Sequence, residues 1–213
     1  MMLPLLLILL QVYKNHFLLM DKFQQAIAQF DTLNGQDPNK EVVDGKVVPK
    51  ELLYAQRMSD RLLQYAPTAS EALQLAARCQ HLCRWEIPRS TFPLGRKGYN
   101  QWRSKLKIFH ADKSAEVLEK VGYDQETIDR VSFLVRKKQL KKDAETQLLE
   151  DVICLVFLAF YFEKFAAKHP KEKVIDILQK TWRKMSEQGQ QAALDLPLPT
   201  ETKALIGEAL RGN

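Results

Sequence analysis

The segment DAETQLLEDVICLVFLAFYFEKFAAKH, residues 143–169, decides the fold, because it is the most apolar run in the chain after the N-terminal segment. Glu150 and Asp151 precede its apolar centre and Glu163 follows it, which leaves the 11 residues 152–162 between charged side chains. A helix that crosses a bilayer needs about 20 consecutive apolar residues. The segment therefore predicts a buried central helix around which the rest of the chain packs.

The sequence around this segment has the periodicity of amphipathic helices. Phe23, Ile27 and Phe30 are spaced by four and three residues, which places them on one helix face. No segment shows a convincing β-strand alternation, and 213 residues suffice for one domain but not for two. We therefore expect residues 20–213 to form a single compact all-α domain, a bundle of about seven to eight helices.

The charge balance favours anionic partners. The chain has 32 Lys+Arg against 26 Asp+Glu, which gives a net charge of +6 and a pI near 9.1. Such a surface attracts phosphorylated small molecules, nucleotides or RNA. The three cysteines are an odd number without the spacing of a secreted disulfide framework, so we expect reduced thiols in a cytoplasmic protein that does not associate with membranes.

The first 19 residues stand apart from this pattern. Residues 1–10 are as apolar as the core of a signal peptide, but they lack a basic start and a small-residue cleavage site, and they are too short to span a bilayer. An amphipathic helix begins directly after Met20. We interpret residues 1–19 as an extension of the gene model or as a weak targeting segment, which would direct the protein to an organelle.

The segment LAARCQHLCRWEIPR, residues 75–89, is the most unusual in chemistry. Cys79, His81 and Cys83 invite a zinc site, but helix residues two positions apart diverge by about 200°, so the histidine points away from both thiols. The two cysteines share a face and could supply two ligands, with Cys154 as a third. Buried cysteine in the core is the more common outcome for such a pair.

The order of several motifs resembles the HD-domain metal-dependent phosphohydrolases over residues 54–158. The motif LAARCQHLCRW is similar to the segment that carries their His-Asp pair, with Gln80 and His81 at those positions. FHADKSAEVLEKVGY is similar to the stretch that supplies a further histidine, and His110 is present there. The final aspartate of the family corresponds to Asp151 in DAETQLLEDVICLVF.

Other positions depart from that pattern. Tyr54 in LLYAQRMSDRLL stands where the first histidine is expected, and Lys137 and Lys138 in VSFLVRKK stand where the last one is. The resemblance implies a metal site that retains four groups, namely His81, His110, Glu150 and Asp151. These could hold one divalent ion, Mn, Zn or Mg, with Asp151 and His81 as the catalytic residues. The alternatives are a metal-free anion pocket and a structural relic of the site.

A run of arginines and aromatic residues favours the anion pocket. Arginines beside a histidine and carboxylates are typical of phosphate clamps. The candidates for binding the ligand are Arg78, Arg84, Arg89, Arg96, Tyr99, Trp102, Arg103, Lys137 and Lys138. Either lysine could replace the charge of a lost cation. The aromatic residues could stack a nucleotide base or RNA, or they could simply pack a loop onto the helical core.

A closer resemblance is to the family called domain of unknown function 4202. It rests on QHLCRW, GY..WR, LED and KTW.KMS, and it extends from Met20 almost to the end of the chain. Members are sometimes labelled glutamyl-tRNA synthetase, and KMSEQ at residues 184–188 is similar to a class I synthetase loop. The chain lacks a HIGH-like partner motif and strand-helix alternation, so we do not expect that activity.

Together these features predict a pocket that binds a phosphorylated small molecule or nucleotide. Hydrolysis of that ligand stays open. The alternative is a non-catalytic module that interacts with RNA or protein.

Overall fold

A computed structural model describes residues 20–211; the interpretation of residues 1–19 lies outside them. The described part is mostly helical, which confirms the expected fold class, but it has ten α-helices instead of seven or eight. The helices are α1 (Lys22–Asn34), α2 (Lys50–Tyr65), α3 (Glu71–Cys79), α4 (Gly95–Val121), α5 (Gln125–Val135), α6 (Ala144–Phe160), α7 (Phe162–Ala166), α8 (Lys171–Lys184), α9 (Glu187–Leu194) and α10 (Thr200–Arg211).

The extra helices come from two breaks. A break at Tyr161 separates α6 from the short α7. Ser186 begins α9 as its N-cap, because its hydroxyl accepts a hydrogen bond from Gly189 N–H, and this ends the continuous helix expected from residue 171 onwards. The structure also contains two single-turn 3₁₀ helices, Arg84–Glu86 and Arg89–Thr91.

A β-hairpin replaces the polar loop expected before α2. Strand β1 (Lys40–Val43) pairs antiparallel with β2 (Lys46–Pro49), so that Val42 faces Val47. Asp44 and Gly45 form the turn with φ of 50° and 72°, the left-handed geometry that a tight two-residue hairpin requires. The expectation of no strand was therefore wrong, because four-residue strands are too short to give a clear alternation.

Helix α6 is the central helix, as the opening segment predicted. Its residues contribute to both hydrophobic clusters of the protein: Leu149, Val152 and Val156 pack with α1 to α5, and Leu155 and Leu158 pack with α7 to α10. The helix is therefore covered by other elements on two sides. None of the helices within residues 20–211 is long and apolar enough to cross a membrane.

Two irregular segments carry polar side chains towards the middle of the protein. After α3 the chain turns at Cys83, whose φ is 54° and whose N–H donates to Asn34 Oδ1 at 3.0 Å. Between α5 and α6, Lys137, Gln139 and Lys141 have φ of 56°, 53° and 75°. Non-glycine residues rarely adopt this left-handed conformation, so both segments are held by their surroundings.

Candidate functional site: a cationic cavity beside two histidines

A cavity of about 790 Å³ opens between the two hydrophobic clusters. Its walls come from α2, α4, α6, α7, α8 and the two irregular segments. Eight basic side chains line it: Lys50, Arg84, Arg103, Lys107, Lys137, Lys180, Arg183 and Lys184. Only two acidic side chains, Glu51 and Glu150, lie among them. The cavity therefore has a large excess of positive charge.

Lys107 is a basic side chain of the cavity that has no acidic partner among the described residues. Among residues 20–211 no hydrogen bond or ion pair joins its ammonium group to another residue. Burial lowers the pKa of Lys107, and the nearby charges of Lys137 and Arg103 lower it further. A bound anion would relieve this repulsion.

His81 lies on the cavity wall between an acid and an aromatic ring. Its Nδ1 is 3.1 Å from Glu51 Oε2, and its ring stacks on Tyr54 with centroids 4.0 Å apart and planes inclined by 13°. Burial, reinforced by Arg84 and Lys137, lowers the pKa of His81 well below its usual value. Since a carboxylate only accepts hydrogen bonds, Nδ1 donates to Glu51, and Nε2 of the neutral ring keeps a lone pair.

His110 has the same tautomer for a different reason. Its Nδ1 donates to the carbonyl oxygen of Leu82 at 2.8 Å, and its Nε2 is buried without a partner among the described residues. Burial and the adjacent His81 lower the pKa of His110 to about 3. The two rings lie 5.8 Å apart, centroid to centroid. The cavity wall therefore holds two neighbouring neutral imidazoles.

Glu150 is buried and paired with lysines. Its carboxylate accepts from Lys137 Nζ at 2.6 Å and lies 3.6 Å from Lys184 Nζ. Burial raises the pKa of Glu150, but the two ammonium groups outweigh that effect and leave it lowered. The resemblance implied Glu150 as a metal ligand; its side chain lies instead against Lys137.

Asp151 faces away from the cavity. Its carboxylate accepts from Ser186 N at 2.8 Å, from the Ser186 hydroxyl at 2.5 Å and from Gln147 Nε2 at 3.0 Å. A Cβ at Gly189 would come within 2.5 Å of Asp151 Cγ, so the carboxylate also fits closely against α9. The structure does not bring this residue to His81, and its contacts anchor the start of α9 on α6.

The predicted arginine cluster divides into two groups. Arg84 and Arg103 line the cavity together with Tyr99. The Arg84 guanidinium lies 4.7 Å from the Trp102 ring, and the Trp102 Nε1–H donates to Ile87 O at 2.9 Å. Trp102 is therefore outside the lining and supports Arg84 from behind.

The remaining basic candidates serve other contacts. Arg78 binds both carboxylate oxygens of Asp31 at 2.7 and 2.6 Å, which joins α3 to α1. Arg89 donates to the carbonyl oxygens of its own turn, including Phe92 O at 2.9 Å. Arg96 and Lys138 are exposed and do not line the cavity.

The implied metal ligands do not fit a metal ion as a set. Within residues 20–211 no three His, Cys, Asp or Glu residues lie together as a group that could hold one. His81 and His110 are adjacent, but Asp151 is held at Ser186 and Glu150 is paired with Lys137. The thiols of the zinc alternative are buried and free, and burial raises the pKa of each cysteine to about 12.

Sequence reasoning missed several lining residues. Arg103, Lys107 and His110 lie at positions i, i+4 and i+7 of α4, so helical spacing from His110 could have identified Lys107. Lys50 and Glu51 start α2, directly after the hairpin that the sequence did not reveal. Five lining residues gave no local signal, since only the packing of α8 brings them in: Ile177, Lys180, Thr181, Arg183 and Lys184.

Comparisons with known proteins give the family. A search of curated proteins and a search of solved structures each found no match. A family model described as Domain of unknown function (DUF4202) matches residues 24–206, which include every helix that lines the cavity. The chain belongs to this family.

Proposed function

We propose that the cavity binds a phosphorylated small molecule, with the phosphate among Arg84, Arg103 and Lys107. The observation that carries this proposal is the eight basic side chains against two acidic ones around a single concave site. Phosphate groups accept charge-assisted hydrogen bonds from Arg and Lys, each worth about 1.5–3 kcal/mol where water is excluded. A cavity of this size suits a small molecule the size of a nucleotide.

Binding is tested with two lysines of α4. Lys107 lines the cavity, whereas Lys105 is exposed on the same helix and outside the lining. Titration calorimetry and thermal shift would compare wild type, Lys107→Ala and Lys105→Ala with inorganic phosphate, ribose 5-phosphate and AMP. We expect Lys107→Ala to weaken phosphate binding at least tenfold and Lys105→Ala to change it less than twofold. Equal effects of the two substitutions, or no binding by any of these phosphates, would contradict the proposal.

Hydrolysis of the bound phosphate is a second candidate, favoured by the Glu51–His81 pair. A carboxylate that fixes Nδ1 leaves Nε2 free to take a proton from water. The water oxygen would attack phosphorus while the bond to the leaving oxygen breaks. We expect the wild-type protein to release inorganic phosphate, and we expect His81→Gln to lose this activity while it still binds the ligand. Binding by the wild-type protein without any hydrolysis would contradict this second candidate and leave binding alone as the function.

An RNA-binding module is the rival that the charge also allows. Binding to RNA through many phosphates would fall steeply with salt and would depend on exposed residues such as Arg96. The concentration of basic side chains inside a concave site favours a small ligand over a long polymer. Retention of RNA by the Lys107→Ala variant together with loss of RNA in Arg96→Ala would favour the rival.

A further inference from the structure

Two helices form one long wall of the cavity and run in opposite directions. Lys184 near the end of α8 lies 3.6 Å from Glu150 near the middle of α6, and Thr181 O lies 4.0 Å from Cys154 Sγ, one turn further along α6. Moving forward along α6 therefore means moving backward along α8. This register brings the middle of α8, at Ile177, towards the later part of α6.

The side chains that line this wall change from charged to apolar along α6. On α6 the lining residues are Glu150, Ile153, Cys154 and Phe157, at positions i, i+3, i+4 and i+7 of one helix face. The charged side chain is at one end of this row and the phenylalanine is at the other. Seven residues of helix separate them by about 10 Å.

The far end of the wall has mostly apolar side chains. Phe165 of α7 lies against Phe157 with ring centroids 6.0 Å apart, and Ile177 of α8 completes the surface. Ile153, Phe157, Phe165 and Ile177 are each only half-buried, although they line a cavity inside the protein. Each of them would gain burial from an apolar ligand group.

This surface favours an aliphatic group over a nucleobase. None of these four side chains has a hydrogen-bonding atom, so the polar edge of a base packed directly on them would lose water without gaining a partner from them. An alkyl or acyl chain has no such cost. The thiol of Cys154 between them is a weak donor at most.

We propose that the natural ligand is an amphipathic phosphate that carries an alkyl or acyl chain. Its phosphate lies among Arg84, Arg103 and Lys107, next to the charged end of the wall, and its alkyl or acyl chain extends about 10 Å along α6 to Phe157, Phe165 and Ile177. This inference rests on the proposed function and specifies the ligand class of the same cavity.

The test is a chain-length series of one phosphate head. Calorimetric titration of wild type would compare inorganic phosphate, ethyl, butyl, hexyl and octyl phosphate, all below micelle-forming concentrations, with AMP as the nucleotide of comparison. Each buried methylene contributes roughly a fourfold gain in affinity. We expect affinity to rise with chain length and to level off when the wall is covered, and octyl phosphate to bind more tightly than AMP.

Substitutions of two isoleucines test where the alkyl chain of the ligand lies. Ile177 lines the apolar end, whereas Ile108 on α4 is 45% exposed and does not line the cavity. Ile177→Thr should flatten the dependence on chain length and leave inorganic phosphate binding unchanged, and Ile108→Thr should alter neither. The native melting temperature of each variant in the absence of ligand checks that it folds.

The outcomes separate this inference from the proposed function. The inference that the ligand carries an alkyl chain fails if all phosphates bind with the same affinity regardless of chain length, or if AMP binds more tightly than octyl phosphate. In either case the proposed binding of a phosphate is not contradicted. If no phosphate binds, the proposed function fails and this inference fails with it. A rise with chain length that survives Ile177→Thr would place the chain elsewhere and overturn the assignment.

Discussion

The ring of Tyr54 lies almost parallel to the ring of His81, with 4.0 Å between their centroids. The interpretation of the sequence as similar to the HD-domain phosphohydrolases led us to expect a histidine at the position of Tyr54. Here the aromatic ring covers one face of His81, and Glu51, one turn earlier on α2, holds its Nδ1. The position that would supply a metal ligand thus supplies the packing that fixes an imidazole.

We expect acid to destabilise the fold through its neutral histidines. The unfolded chain protonates histidine near pH 6.5, whereas folded His110, with a pKa of about 3, stays neutral. The unfolded state therefore binds more protons between these values, and the stability contributed by the neutral ring is lost as pH falls through that window. Urea denaturation at a series of pH values should show it.

A variant isolates the contribution of His110. His110→Asn can still donate to Leu82 O but has no ring to protonate, so the free energy of unfolding should fall less steeply with acid, by about 1.4 kcal/mol per pH unit between pH 6 and 4. The raised pKa of Glu51 acts in the opposite direction and is present in both proteins. Identical pH slopes for the two proteins would contradict the neutral buried ring.

Gly189→Ala should destabilise the protein by about 1–3 kcal/mol, because the new methyl group would overlap the carboxylate of Asp151. Gly207 in α10 is the matched control, since a Cβ there meets nothing closer than Arg211 Nη1 at 3.9 Å. Gly207→Ala should therefore leave stability unchanged or increase it by up to about 1 kcal/mol. Chemical denaturation compares the two, and equal effects would contradict the role assigned to Asp151.

The ion pair of Lys137 and Glu150 should show strong coupling. Lys137→Met removes the ammonium group from a carboxylate that is 3% exposed, and we expect a loss of about 3 kcal/mol in the free energy of unfolding. Adding Glu150→Leu should recover at least half of that loss, because no charge is then left buried beside an apolar chain. A double-mutant cycle by urea denaturation measures the coupling.

The neighbouring lysine provides the control for this cycle. Lys138 is exposed, so Lys138→Met should change stability by less than about 0.5 kcal/mol. Additive effects of Lys137→Met and Glu150→Leu would show that the two side chains do not depend on each other in solution.

Arginines outside the cavity should affect stability, whereas arginines that line it should affect ligand binding. Arg78→Ala breaks a bidentate pair with Asp31 and should lower stability by about 1–3 kcal/mol without changing the affinity for phosphate. Arg84→Ala should weaken phosphate binding by tenfold or more. Calorimetry and denaturation on both variants test this division. A loss of phosphate affinity in Arg78→Ala would contradict it, because Arg78 would then contribute to the binding site.

Local patterns in the sequence were sufficient to predict the central helix and the mostly helical class, but not every element of the fold. The apolar centre of residues 152–162 predicted the central helix, and helical spacing predicted the all-α class. The breaks at Tyr161 and Ser186 were missed, because an N-cap serine inside a helical pattern is ambiguous until its partner Asp151 is placed. The short hairpin gave too few residues for alternation to be recognised.

The candidate site was predictable only where a sequence motif marked its residues. His81, Arg84 and His110 were identified by motif, and they do line the cavity. Asp151 was assigned by the same resemblance, yet its direction depends on the start of α9, which no spacing rule relates to α6. Lys184 reaches Glu150 for a similar reason, since tertiary packing alone sets the register between α6 and α8.

The left-handed backbone at Lys137 has a consequence for protein engineering. A non-glycine residue with φ of 56° costs about 1 kcal/mol or more, and Gln139 and Lys141 have the same handedness. Glycine at 139 would thus yield a more heat-resistant protein with its cavity intact. Glycine at 137 would remove the partner of Glu150, and glycine at 141 would remove the hydrogen bond from Lys141 Nζ to Met185 O. Within one connector, thermostability can therefore be raised without loss of a side-chain contact at position 139, whereas relief of strain and side-chain contacts are in conflict at the other two positions.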